Sequence, residues 1–144
     1  MPVEYKDFHR IAEASLATAA VDEISCRTAV SRGYYGLFHA ALTYADEVRL
    51  PPVSALGGRT HEKLRVFFQI DAFPDPDLVR KHRRIGYILK QLHDLRVLAD
   101  YKLEETITPM TARTHVTRCQ EITSEVESLT TPGSAVQSKM KIVR

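Results

Sequence analysis

The chain has 144 residues, 44% of them hydrophobic and 26% charged, with a formal net charge of +2, which is the length and balance of one globular domain. No run approaches the roughly 18 consecutive apolar residues of a bilayer span, and charge so close to balance does not by itself announce a nucleic-acid binder. The first nine residues carry Glu4 and Asp7 and lack the basic start and apolar stretch of an export signal, so a cytoplasmic protein without a membrane role is expected.

Apolar residues recur at helical spacing almost throughout and strand-like alternation is absent, which predicts an all-α fold of five helices. The first is expected over about Glu4 to Ala20, with Phe8, Ile11, Ala12, Leu16 and Ala19 as its apolar stripe. The second runs from about Ser25 to Val48 and buries Val30, Tyr34, Leu37, Phe38 and Ala41. Gly33 and Gly36 lie inside it, each at a cost of about 1 kcal/mol relative to alanine. They share a face with Ala29 and Ala40, so close approach of another helix, from the same chain or a second copy, is the expected compensation. Consecutive prolines and glycines from Leu50 to Gly58 then break the pattern into a loop.

A short helix follows at Thr60 to Ile70, with Thr60 as its expected N-cap and Leu64, Phe67 and Phe68 inward. Asp75 and Pro76 open the fourth helix with a capping carboxylate and a proline where the missing N–H costs nothing. Its apolar register is Leu78, His82, Ile85, Leu89, Leu92, Arg96 and Ala99. Thr108 and Pro109 start the fifth helix by the same device, with Cys119, Ile122, Val126 and Leu129 on one face. The bundle is expected over residues 1–129, and the small, polar and finally basic residues 130–144 as a flexible tail. Long helices with short connections favour an antiparallel up-and-down four- or five-helix bundle.

The two cysteines, Cys26 and Cys119, form no CxxC pair and sit in helical patterns, so both are read as buried small apolar residues. The six histidines show no metal-ligand spacing, and no cofactor is expected. His9, His82 and His115 occur singly and are read as surface or helix-packing residues. Arg96 is the anomaly, because its register places an arginine in an apolar stripe and such a residue is rarely buried without a partner; Asp100, one turn later, is the local candidate. Arg32, Tyr35 and His39 lie on one strip of the second helix. From Leu78 to Arg96 the chain holds Arg80, Lys81, Arg83, Arg84, Lys90 and Arg96 against Asp94 alone. That run is either a solvated face or a set of phosphate contacts.

The segment Ser31-Arg-Gly-Tyr-Tyr-Gly-Leu-Phe-His-Ala-Ala41, His61 at the opening of the short helix, and Arg96-Val-Leu-Ala-Asp-Tyr101 together resemble the HEPN family (higher eukaryotes and prokaryotes nucleotide-binding). The resemblance spans about Ala12 to Leu129. It implies a HEPN-type helical bundle, usually a homodimer, that binds nucleotide or RNA and is often paired with a nucleotidyltransferase in toxin–antitoxin or phage-defence systems. Many members are metal-independent endoribonucleases in which an arginine is followed, four to six residues later, by a histidine that shuttles the proton of a ribose 2′-hydroxyl while the arginine stabilises charge on phosphorus.

Here Tyr101 occupies the position five after Arg96, and tyrosine, with a reference pKa of about 10, is a poor base at neutral pH. A nucleotide- or RNA-binding module with a degenerate nuclease motif is therefore expected. The binding residues would be Arg96, Asp100, Tyr101, Tyr35, Arg32, His39, Arg80 and Arg84. An active ribonuclease using Arg96, His61 and Tyr101, or His93 from the same side of its helix, is the enzymatic alternative. Arg32 and His39, separated by six residues, also match the arginine–histidine spacing, although in the family that segment is the helix-two signature and the catalytic pair comes later, so a polar network inside the bundle is the expected role. A purely architectural dimerisation domain is the third possibility.

Overall fold

A computed structural model describes residues 2–129, and these form an all-α bundle with five helices and no strand. The expected 130–144 tail lies outside the described residues. The helices are α1 (Tyr5–Leu16), α2 (Glu23–Val48), α3 (Thr60–Ile70), α4 (Pro76–Tyr101) and α5 (Pro109–Ser128), with a single 3-10 turn at Val53–Ala55.

Local signals account for most of the boundaries. Asp22 accepts a hydrogen bond from the Ser25 N–H at 2.9 Å, so α2 starts at Glu23, earlier than Ser25. Asp75 accepts from the Asp77 N–H at 2.9 Å ahead of Pro76, and Thr108 accepts from the Thr111 N–H at 3.2 Å ahead of Pro109, both as expected. Two expectations fail. Thr60 is the first helical residue of α3 and not its cap, which is Arg59. The first helix stops at Leu16, where the Ala17 N–H closes a tight turn onto the Ala14 carbonyl at 3.2 Å. Residues 17–20 are exposed, so alanine propensity there has no packing to sustain another turn.

The contacts divide the chain into two compact units. Of the described residues, the first comprises 2–39 and 91–123; the second comprises 40–90 and 124–129. In the first unit, Cys26, Val30, Ala99, Ile107 and Ala112 form one apolar cluster, and Ala12, Ala29 and Val116 a second, joined by Leu16. Ile11, expected in the stripe of α1, is 44% exposed, and His9 takes the inward place.

The reason lies in Gly36. A Cβ there would fall 2.6–2.8 Å from the His9 ring, so the imidazole occupies the space that glycine leaves, and its Nε2 donates to Thr123 Oγ1 at 2.9 Å. Gly33 faces Val116 and Ala12 with room for a Cβ at 3.5 Å or more. The compensation for the glycines is thus α1 and α5 of the same chain, not a second copy.

Arg27 is buried in this unit and closes the end of α4. Its Nη1 donates to the carbonyls of Leu98 (3.2 Å), Ala99 (2.9 Å) and Lys102 (3.2 Å), and its Nη2 to those of Leu103 (3.5 Å) and Glu105. Glu23 accepts from Arg27 at 3.0 Å and from the Ile107 N–H at 3.1 Å. The carbonyls a helix terminus leaves orphaned are satisfied here by one guanidinium.

In the second unit Tyr44, Phe67, Phe68, Phe73 and His82 pack as an aromatic core, with ring centroids 4.5 Å apart for Phe73 and His82. The Tyr44 hydroxyl meets His82 Nε2 at 2.7 Å, and Gly86 admits Phe68 and Gln69 of α3 against α4. His9, His82 and His115 are all buried, which decides for packing over surface.

Candidate functional site

The chemistry gathers in the first unit, around Tyr35. The α2 register puts Ser31, Arg32, Tyr35 and His39 along one strip. Phe8 arrives from α1, and Arg96, Asp100 and Tyr101 from the last turns of α4. The Arg96 guanidinium carbon lies 5.0 Å from the Tyr35 ring centroid and 5.6 Å from that of Tyr101. The Arg32 guanidinium carbon lies 5.3 Å from Tyr35 and 5.7 Å from Phe8. Two cations therefore share one aromatic ring, each within the distance at which the ring quadrupole attracts them.

Arg96 is 9% exposed and its Nε donates to Asp100 Oδ2 at 2.8 Å, the partner expected from sequence. The same carboxylate oxygen accepts from the Ser31 hydroxyl at 3.2 Å, and Ser31 Oγ in turn accepts from Arg32 Nη2 at 3.2 Å. The carboxylate is thus held from two sides. Neither Nη nitrogen of Arg96 has a hydrogen-bond partner among the described residues, and half-buried Arg32 has no carboxylate partner among them. Two guanidinium groups face one carboxylate, leaving a local excess of positive charge.

His39 packs against Phe8 (centroids 5.2 Å) and Tyr35 (6.2 Å), and burial lowers its pKa, favouring the neutral ring. His93 lies edge-on to Tyr34 at 5.6 Å. Tyr101, 70% exposed, is bound to the cluster through its contact with Arg96.

The remaining expected residues belong to the second unit. His61 is half-buried on the first turn of α3. Arg80 pairs with Asp77, and Arg84 makes a fork onto Glu125 at 3.1 and 3.0 Å. Arg83 caps α3 through the carbonyls of Phe68 (2.9 Å) and Asp71 (3.2 Å). Much of the basic run on α4 is thereby matched by acids or carbonyls within the fold.

Phe8 and Ser31 were missed as site residues. Ser31 had a local signal, one turn before Tyr35 and inside the Arg32 segment. Phe8 had none beyond its place in an apolar stripe. Among the described residues no group of three His, Cys, Asp or Glu is placed to hold a metal ion, and no helix is long and apolar enough to cross a membrane. No family model, curated protein or solved structure matches the chain, so what the cluster does rests on its own chemistry.

Proposed function

We propose that this chain is a HEPN-type module that binds the phosphate and base of RNA or a nucleotide at the Tyr35 cluster. The observation that supports it most is the pair of guanidinium groups on one ring with a single carboxylate between them. Among the described residues Arg32 has no acid and the Nη edge of Arg96 is unused, so both retain donors with the fork geometry that suits phosphate oxygens. Tyr101, largely exposed beside Arg96, offers a face on which a base can stack, worth roughly 1–3 kcal/mol per base.

The module reading is preferred to the nuclease because the residue five after Arg96 is a phenol. The nuclease alternative draws its support from His39, an imidazole in the same cluster whose lowered pKa keeps it a competent base at neutral pH. A homodimer, and a nucleotidyltransferase partner in a toxin–antitoxin or defence pair, follow from the family resemblance and belong to the same proposal.

Fluorescence anisotropy with a short single-stranded RNA tests the reading. Arg32→Gln and Arg96→Gln, checked for native helicity by circular dichroism, should each weaken binding about tenfold or more. Unchanged affinity in both variants would remove the site. Cleavage of the RNA in chelator, lost in His39→Gln, would replace the module with the enzyme.

A further inference from the structure

A cavity of about 370 Å³ lies wholly in the second unit, lined by Arg49, Leu56, Gly57, Gly58, Arg59, Glu62, Lys63, Val66, Phe67 and Asp71. That volume is within the range of roughly 300–1,000 Å³ typical of small-molecule sites. None of these residues belongs to the Tyr35 cluster, and the nucleotide-binding reading makes no use of them.

The lining sorts into three kinds of surface. Arg49 and Asp71 neutralise each other at 2.9 Å, and Arg49 Nη1 also donates to the Pro51 carbonyl at 2.7 Å, so this pair forms a fixed, satisfied wall. Lys63 is different. Its ammonium donates to the carbonyls of Leu56 at 2.8 Å and Ser54 at 3.3 Å and has no carboxylate partner among the described residues, so it is held in place while its charge stays uncompensated. Arg59 is exposed, its carbonyl accepts from the Lys63 N–H at 2.9 Å, and its guanidinium makes no hydrogen bond or ion pair among those residues. Leu56, Val66 and Phe67 contribute apolar surface, and a Cβ at Gly57 or Gly58 would meet nothing within 4 Å, so the loop side is open. Glu62, also exposed, adds one acceptor.

We infer that this cavity binds a small phosphomonoester with a short organic body. Arg59 and Lys63 supply two positive charges, which suits a dianionic head better than a single carboxylate. The apolar surface of Leu56, Val66 and Phe67 takes the organic portion, and Glu62 accepts from a hydroxyl on it. A bare anion would leave the apolar part of the cavity without an occupant.

Titration of isotope-labelled protein with glycerol 3-phosphate, followed by amide chemical shifts, is the direct trial. Saturable shifts confined to residues 56–67 and 71 are expected below about 10 mM. Arg59→Ala, an exposed change without folding consequences, should weaken binding about tenfold, and Lys63→Met at least as much. Inorganic phosphate should bind more weakly than the ester, and glycerol should produce no shift.

Absence of saturable shifts, or an unchanged affinity in Arg59→Ala, overturns the inference. Equal affinity for inorganic phosphate overturns its organic part. RNA binding of Arg59→Ala, measured in parallel by anisotropy, should match the unaltered chain, so failure here is distinguishable from failure of the Tyr35 site.

Discussion

At the level of single side chains, Gly36 and His9 decide how α1 meets α2. The imidazole cannot simply swing away from an added methyl, because Thr123 Oγ1 donates to the Cys119 carbonyl at 2.7 Å and accepts from His9 Nε2. Gly36→Ala should therefore destabilise by about 1–2 kcal/mol, overpacking outweighing the gain in helix propensity. In a His9→Ala background the sign should reverse, and urea unfolding of the four-member cycle measures it. Gly33→Ala, with room for its methyl, should stabilise by up to about 1 kcal/mol. The glycines were legible in the sequence as a close approach, but their unlike roles were not, since only Gly36 is filled by a ring from another helix.

Arg96 is the opposite case. The four-and-three register of α4 placed it inward, and a partner one turn along was the local solution, so its burial and its bond to Asp100 could be read directly from the chain. The second guanidinium was legible only in part: Arg32 shares a strip of α2 with Tyr35, but its place against Phe8 had no signal. Its aromatic partner Phe8 is on α1, and nothing in the periodicity of either helix says that the two share a cluster.

At the level of elements, the end of α4 depends on Arg27. Its role had no signal in the sequence, because its acceptors lie 71 to 78 residues away. Removing a buried cation that satisfies several carbonyls leaves those groups unpaired, so Arg27→Met should cost about 3–5 kcal/mol. Hydrogen exchange should accelerate across residues 98–108. Because Asp100 and Tyr101 lie on this terminus, RNA affinity should fall as well, making Arg27 a positioning residue. Arg27→Met with unaltered exchange at 98–108 would show that the carbonyl cage is not what holds the helix end.

The basic run on α4 teaches a related lesson. Its charges read as a phosphate surface because their partners are remote: Glu125 is 41 residues from Arg84, and the carbonyls that Arg83 caps belong to α3. N-caps, in contrast, lie within a turn of their helix, and Asp75 and Thr108 were legible for that reason.

For the whole molecule, the buried histidines set a dependence on acid. His82 and His115 each have an Nδ1 with no hydrogen-bond partner among the described residues, and burial lowers both pKa values to about 4 from about 6.5. The His115 Nε2 contacts the Val30 carbonyl at 3.0 Å, which fixes the proton on that nitrogen. Between the folded and unfolded pKa values the unfolded chain binds more protons. Stability is therefore full above about pH 6.5 and is lost as pH falls toward 4, by about 2 kcal/mol per histidine between pH 7 and pH 5. Urea midpoints at the two pH values measure this, and His115→Gln should flatten the dependence by its own share. A midpoint independent of pH would contradict the burial of neutral imidazoles.

We propose that Arg32 and Arg96 receive phosphate at the Tyr35 ring. The salt dependence of RNA affinity tests it most directly, because each phosphate neutralised on a single strand contributes a slope of about −0.7 in log K against log salt. A slope of at least about −1.4 is predicted for the unaltered chain, reduced in magnitude by about 0.7 in Arg32→Gln. A slope unchanged by that substitution would contradict the account.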